Sequence, residues 1–189
     1  MKKKKAAFLD RDGTIVVHTP YLSSPEQLKL LPHAVEGIRL FKDNDYLIIV
    51  VTNQSGIARG YFDEQSLIQI HEKLKKILIR EKAEVDAFYY CPHHAEGVVE
   101  QYSVHCDCRK PRPKMLFDAA QQYNIDLSQS IMIGDSLADI RAGKEAGCKS
   151  ALIRNPNHEQ EADPDAPFGA DYVVKDLLEA ARLFIGKKE

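Results

Sequence analysis

A chain of 189 residues is long enough for one domain with a buried core and too short for two ordinary domains joined by a linker, so a single domain over 1–189 is expected. With 44% hydrophobic residues, 29% charged residues and a formal net charge of -2, the composition is that of a soluble globular protein without a global attraction to nucleic acid or membrane. Any anion site must be local.

The start, Met1-Lys2-Lys3-Lys4-Lys5, is basic, but the apolar residues behind it end at Leu9, before Asp10-Arg11-Asp12. That is too short for the apolar region of a signal peptide, and no stretch reaches the roughly 20 apolar residues of a membrane span. A cytoplasmic protein is expected, its lysine run a solvated end rather than a nucleic-acid patch.

In chain order, short apolar or β-branched runs alternate with stretches of helical period. Strands are predicted over 6–9, 46–51, 87–90, 130–133, 150–153 and 171–174, and helices over 34–42, 63–82, 114–123, 137–146 and 176–184. This alternation is the pattern of a parallel sheet with crossover helices, an α/β fold. Residues 46–51 are apolar throughout, which predicts a central strand covered on both faces. Asp63 has N-cap chemistry ahead of a face formed by Leu67, Ile70, Leu74, Ile77 and Leu78. The segment 92–113 fits neither period and is long for a loop, which predicts that it is functional or pinned. The segment 155–169, with Pro156, Pro164 and Pro167, reads as a solvated connection.

In an open α/β sheet ligands collect at the carboxyl ends of the strands, so the residues after each strand are the informative ones. The first predicted strand is followed by Asp10-Arg11-Asp12-Gly13-Thr14. Two carboxylates two residues apart can face one site, where they require a cation or a shared proton. With Mg²⁺ and a phosphate between them, Asp10 can attack phosphorus while Asp12 serves as acid and then base. A pair of turn-forming aspartates is the competing reading. The second strand is followed by Thr52-Asn53-Gln54-Ser55-Gly56, a donor-rich turn suited to phosphate oxygens. After the fourth come Gly134-Asp135-Ser136 and then Asp139; Asp135 can complete a hard-cation site and Asp139 can orient a ligand, with helix capping by Asp135 or Ser136 as the alternative.

The irregular segment begins at Cys91-Pro92-His93-His94 and contains His105-Cys106-Asp107-Cys108. Cys91, His93, Cys106 and Cys108 form a plausible closed tetrahedral zinc set of structural purpose, with His94 and His105 as substitutes for His93. A disulfide is disfavoured without an export signal. Arg109-Lys110-Pro111 follows directly, placing a point charge and a guanidinium fork on a braced loop. Arg59 and the His18-Thr19-Pro20-Tyr21 loop are further candidates to reach substrate.

Taken together and in this order, Asp10-Arg11-Asp12-Gly13-Thr14, Thr52-Asn53-Gln54-Ser55-Gly56, Lys110, and Gly134-Asp135 with Asp139 resemble the four motifs of the haloacid dehalogenase superfamily of phosphatases. The zinc set narrows the resemblance to its histidinol-phosphate and heptose-bisphosphate phosphatase branch. The resemblance implies a three-layer Rossmann-like sheet with no large cap domain and a zinc-braced loop. It implies Mg²⁺ held by Asp10, the backbone carbonyl of Asp12, and Asp135, with Asp10 as nucleophile and Asp12 as acid/base. Thr52 and Lys110 would stabilise the phosphoryl group. Substrate contacts would come from Arg11, His18, Thr19, Pro20, Tyr21, Asn53, Gln54, Ser55, Arg109 and Ser136. The expected substrate is a small phosphosugar, a sugar bisphosphate, and the expected form a monomer with no nucleic-acid or membrane partner. Histidinol phosphate is the alternative substrate; Ser55 stands where that branch would carry an acidic residue. Two departures concern the sugar: Ser136 where some relatives have Lys, and no glycine before Tyr21.

Overall fold

The computed structural model describes residues 3–154 and 169–186, so the predicted connection over 155–169 lies almost wholly outside the described residues. Six strands form one parallel sheet: β1 (Lys5–Leu9), β2 (Tyr46–Asn53), β3 (Ala87–Cys91), β4 (Ile131–Gly134), β5 (Lys149–Ile153) and β6 (Tyr172–Val174). Their order is β3-β2-β1-β4-β5-β6. Five helices cover the two faces: α1 (Ala34–Asp43), α2 (Glu64–Arg80), α3 (Lys114–Tyr123), α4 (Leu137–Glu145) and α5 (Leu177–Gly186).

Strand side chains alternate between two cores, as period-two geometry requires. Ala7, Leu9, Ile48 and Val50 face α1, α2 and α5, packing on Ile38, Phe41, Leu74, Leu78 and Phe184. Ala6, Phe8, Ile49 and Val51 face α3 and α4, against Met115, Leu116, Ala119 and Ala142. This explains the unbroken apolar run in β2: both of its faces are buried.

Two expectations are corrected. β2 is interior, but the centre of the sheet is β1 with β4, because the chain moves outward to one side through β2 and β3 and to the other through β4, β5 and β6. β2 also extends two residues further than predicted. Thr52 and Asn53 pair with Tyr90 and Cys91, and their polarity disguised them as a turn. Elsewhere the element ends fall within two residues of expectation, and α3 matches at both ends. Helix α2 begins at Glu64, and its Asp63 cap accepts a hydrogen bond from the Ser66 N–H at 2.8 Å, satisfying a donor the helix itself leaves open. Among the described residues no helix is long and apolar enough to cross a membrane.

Candidate active site

The switch of direction at β1 opens a crevice at the carboxyl ends of β1, β2 and β4, and the polar residues after those strands meet there. Lys110 is its hub. Its ammonium lies 2.6 Å from Asp10 Oδ1 and 2.6 Å from Asp139 Oδ1, and donates to the Val51 carbonyl at 2.7 Å. Lys110 is 4% exposed, so these contacts are made with little water. The lysine is seated by Asn53, whose side chain donates to the Lys110 carbonyl and accepts from its N–H, both at 3.0 Å.

Asp10, Asp135 and Asp139 offer carboxylate oxygens within 4.8 Å of one another. Burial holds the Asp10 carboxyl well above its usual range; Lys110 opposes this, and Asp139, Asp135 and Asp12 reinforce it. Asp135 is pushed up to about 6, first by burial and then by Asp139. Burial disfavours the Lys110 charge, but Asp10 and Asp139 outweigh it and raise its pKa. One lysine against three converging carboxylates leaves excess negative charge, the chemistry that a hard divalent cation matches. Gly13, at φ +82°, lets the loop after β1 press against Asp135; a Cβ there would run into that carboxylate. Asp139 is doubly engaged, since its other oxygen accepts from Ser136 Oγ at 2.6 Å and Ser136 N–H at 3.1 Å in the capping box of α4.

The Asp12 carboxylate lies outside this group and has its own partners. Arg11 Nη2 pairs with it at 2.8 Å, and Gln54 Nε2 donates to it at 2.9 Å while also reaching Thr52 Oγ1 at 2.8 Å. Beside Asp12 opens a cavity of about 300 Å³, walled on one side by His18, Thr19, Pro20 and Tyr21 and on the other by Asn53, Gln54 and Ser55. Leu22, Gly56 and Phe62 complete the wall, and sequence reasoning had no signal for Leu22 and Phe62. At the mouth Tyr21 meets Tyr61, ring centroids 4.1 Å apart. Arg11 also reaches the wall, although its guanidinium is occupied by Asp12 and by His71 Nε2 at 3.3 Å. Arg109 and Ser136 are not on this wall; Arg109 donates to the His93 carbonyl at 3.3 Å and Ser136 caps α4.

The segment 92–113 is irregular apart from a short 3₁₀ turn, Glu100–Tyr102, and is pinned by a sulfur cluster. Cys91 and Cys106 Sγ are 3.5 Å apart, as are Cys106 and Cys108, and His93 Nδ1 lies 3.3 Å from Cys108 and 3.7 Å from Cys91. All four cysteines are free thiols. The Cys108 thiol is lowered to about 5, chiefly by its hydrogen bond with Cys91. His94 belongs elsewhere, 3.1 Å from Arg59, and His105 is exposed, so His93 is the histidine of the cluster. Tyr90 and Tyr102 hydroxyls both donate to Glu64, at 2.9 and 2.6 Å, tying the segment to the start of α2.

Comparison with known proteins agrees with this architecture. The HAD-hydrolase-like family model matches residues 107–180. The D-glycero-beta-D-manno-heptose-1,7-bisphosphate 7-phosphatase of Pasteurella multocida is 40% identical over 98% of this chain and 99% of its own length. The enzyme of that name from Escherichia coli K12 is 36% identical over 94% of this chain and 92% of its own. Among solved structures, the D,D-heptose 1,7-bisphosphate phosphatase from B. bronchiseptica, complexed with magnesium and phosphate, superposes with a TM-score of 0.84 at 34% identity, covering 97% of this chain and 99% of that one. Shared sequence over nearly the whole length and a shared fold thus lead to one assignment: the chain belongs to the heptose-1,7-bisphosphate 7-phosphatase family of haloacid dehalogenase-type phosphatases.

Proposed function

We propose that this phosphatase removes the 7-phosphate of D-glycero-D-manno-heptose 1,7-bisphosphate through an aspartyl-phosphate on Asp10, in the synthesis of nucleotide-activated heptose. The observation that carries the chemistry is Lys110, held 2.6 Å from Asp10 and from Asp139 at the strand ends. An Asp10 oxygen forms a bond to phosphorus as the bond to the sugar oxygen breaks, and Asp12 protonates that oxygen. Asp12 then takes a proton from water, which attacks phosphorus and releases Asp10. Lys110 and the Thr52 hydroxyl lie where charge builds on the phosphoryl oxygens, fixed before the reaction begins.

Asp10, Asp135 and the Asp12 backbone carbonyl would hold Mg²⁺; the convergence of acidic groups fits it, and the Asp12 side chain, held by Arg11 and Gln54, would handle the proton. When bound, the ion neutralises charge between the attacking carboxylate and the phosphate. For zinc, a tetrahedral site with sulfur at about 2.3 Å and nitrogen at about 2.1 Å needs ligand separations of roughly 3.6 to 3.8 Å. The spacings of Cys91, His93, Cys106 and Cys108, from 3.3 to 3.7 Å, support such a site, which would brace the segment carrying Arg109 and Lys110. His18 to Tyr21 and Asn53 to Ser55 would bind the sugar, and Arg109 would meet the second phosphate. The same reading has the chain acting as a single-domain cytoplasmic monomer on a soluble phosphosugar.

Asp12 is the sole acidic residue among those lining the cavity, so the cationic imidazole of histidinol phosphate would find no carboxylate partner besides the catalytic one. The test is phosphate release from heptose 1,7-bisphosphate and from histidinol phosphate with Mg²⁺, using Asp10→Asn as the blank. A strong preference for the bisphosphate is expected; preference for histidinol phosphate would overturn the substrate, and turnover by Asp10→Asn would overturn the nucleophile.

A further inference from the structure

Helix α2 presents an apolar stripe of Leu67, Ile70, Leu74 and Leu78 to the sheet, and one polar residue, His71, is buried within it at 7% exposure. Its ring stacks on Phe88 with centroids 4.7 Å apart and 22° between planes, and meets Tyr90 edge-on at 6.0 Å. A histidine placed there for packing alone would leave a polar nitrogen in the core at a cost. Instead its Nε2 lies 3.3 Å from Arg11 Nη1.

Arg11 is 1% exposed, the largest side chain buried this deeply among the described residues. Its Nε and Nη2 donate to both oxygens of Asp12, at 2.8 to 3.2 Å. The remaining nitrogen, Nη1, therefore depends on His71. Because the guanidinium is a rigid plane, fixing Nη1 fixes the edge that grips Asp12. The arginine beside it also keeps His71 neutral, an effect second to burial, and an uncharged ring can accept that bond.

We propose that His71 is a positioning residue for the phosphatase reaction: it anchors Arg11, whose guanidinium holds the Asp12 carboxylate in the direction from which it protonates the leaving oxygen. This rests on the reading of Asp12 as the acid. Gln54 donates to Asp12 Oδ2 at 2.9 Å, the oxygen that also receives Arg11 Nη2 at 2.8 Å, so the carboxylate is held by residues that follow two different strands. His71 acts through Arg11 and touches no substrate.

Proton donation matters when the leaving group is an alkoxide and little when it departs as a stable anion, which separates this role from a merely structural one. The first turnover of wild type, His71→Phe, His71→Gln and Asp12→Asn is compared on heptose 1,7-bisphosphate and on p-nitrophenyl phosphate, in kcat/KM, which covers the steps through leaving-group release. His71→Phe keeps the ring and removes the acceptor. Its loss is expected to be about tenfold greater on the sugar bisphosphate than on the aryl ester, a fraction of what general acid catalysis supplies. His71→Gln, with an acceptor restored, should recover most of it. Equal losses on both substrates, or none on either, overturn the proposal. Where the Phe variant does not fold, His71→Met gives the same comparison. If Asp12→Asn itself shows no preference between the substrates, Asp12 is not the acid and the proposal falls with that reading; if it does and His71→Phe does not, the proposal falls alone.

Discussion

The carboxylate centre and the sulfur cluster each gather four side chains onto a point, but they do so from opposite directions. Asp10, Lys110, Asp135 and Asp139 come from the end of β1, from the segment before α3, from the turn after β4 and from the first turn of α4, so the finished sheet must exist before they meet. Cys91, His93, Cys106 and Cys108 all belong to one excursion of chain and impose order on a segment that has almost no regular structure of its own. One site is a product of the fold and the other a cause of local fold. Damage to the first should therefore appear as lost rate, and damage to the second as lost stability.

The largest expected effect is on the first side. Lys110→Met should lower kcat/KM by about 10³-fold, the scale of removing a preorganised charge from the transition state, while bound zinc stays unchanged; metal analysis beside phosphate-release kinetics checks it. On the second side, Cys106→Ser should abolish zinc binding and remove several kcal/mol of stability, a drop in Tm on the order of 10 °C by calorimetry. Unchanged melting with the metal gone would erase the contrast between the two regions.

A third variant probes the bond that joins them. Asn53 clamps Lys110 through two hydrogen bonds, and Asn53→Ala should lower kcat by about 10- to 100-fold, with zinc retained. The smallest effect is one of pH. Buried His71 is lowered to about 3 from 6.5, first by burial and then by Arg11, so below pH 6.5 the unfolded chain takes up a proton that the native one does not. Stability contributed by this group is full above pH 6.5 and is lost as pH falls toward 3, at up to about 1.4 kcal/mol per pH unit. Denaturant titrations of wild type and His71→Phe at pH 7 and pH 5 should show the wild type losing more.

Most of the fold was legible because strand and helix periods are strong where both faces of a sheet are buried, as in the run from Tyr46 to Val51. Asp10, Asp12 and Asp135 were legible because each follows an apolar strand, where a polar residue has few purely structural reasons to stand. The cluster of Cys91, His93, Cys106 and Cys108 showed itself by the spacing of rare residue types. What stayed hidden was pairing across long sequence distances. Thr52 and Asn53 look like a turn until Tyr90 and Cys91 extend the strand beside them. His71 hides in an apolar stripe, and its significance depends on an arginine sixty residues earlier. Leu22 and Phe62 join the cavity wall through loop packing that no periodicity encodes.

The segment between β3 and α3 is attached to the rest of the molecule at discrete points: the sulfur cluster rooted at Cys91, His94 beside Arg59, the Val98 and Val99 N–H groups on the Ala58 carbonyl, Tyr102 on Glu64, and Lys110 on Asn53, Asp10 and Asp139. Its last residues, with Lys110, belong to the carboxylate centre, whereas the outer stretch, 95–104, does not. Variation in its length and outward-facing residues, including exposed Val98 and Val104, can accumulate without disturbing the strand ends where phosphorus is handled. One stretch of chain thus has an outer part that can diversify and an end that reacts, and exchange of 95–104 between relatives, with Lys110 kept, would be the economical route to a new leaving-group preference.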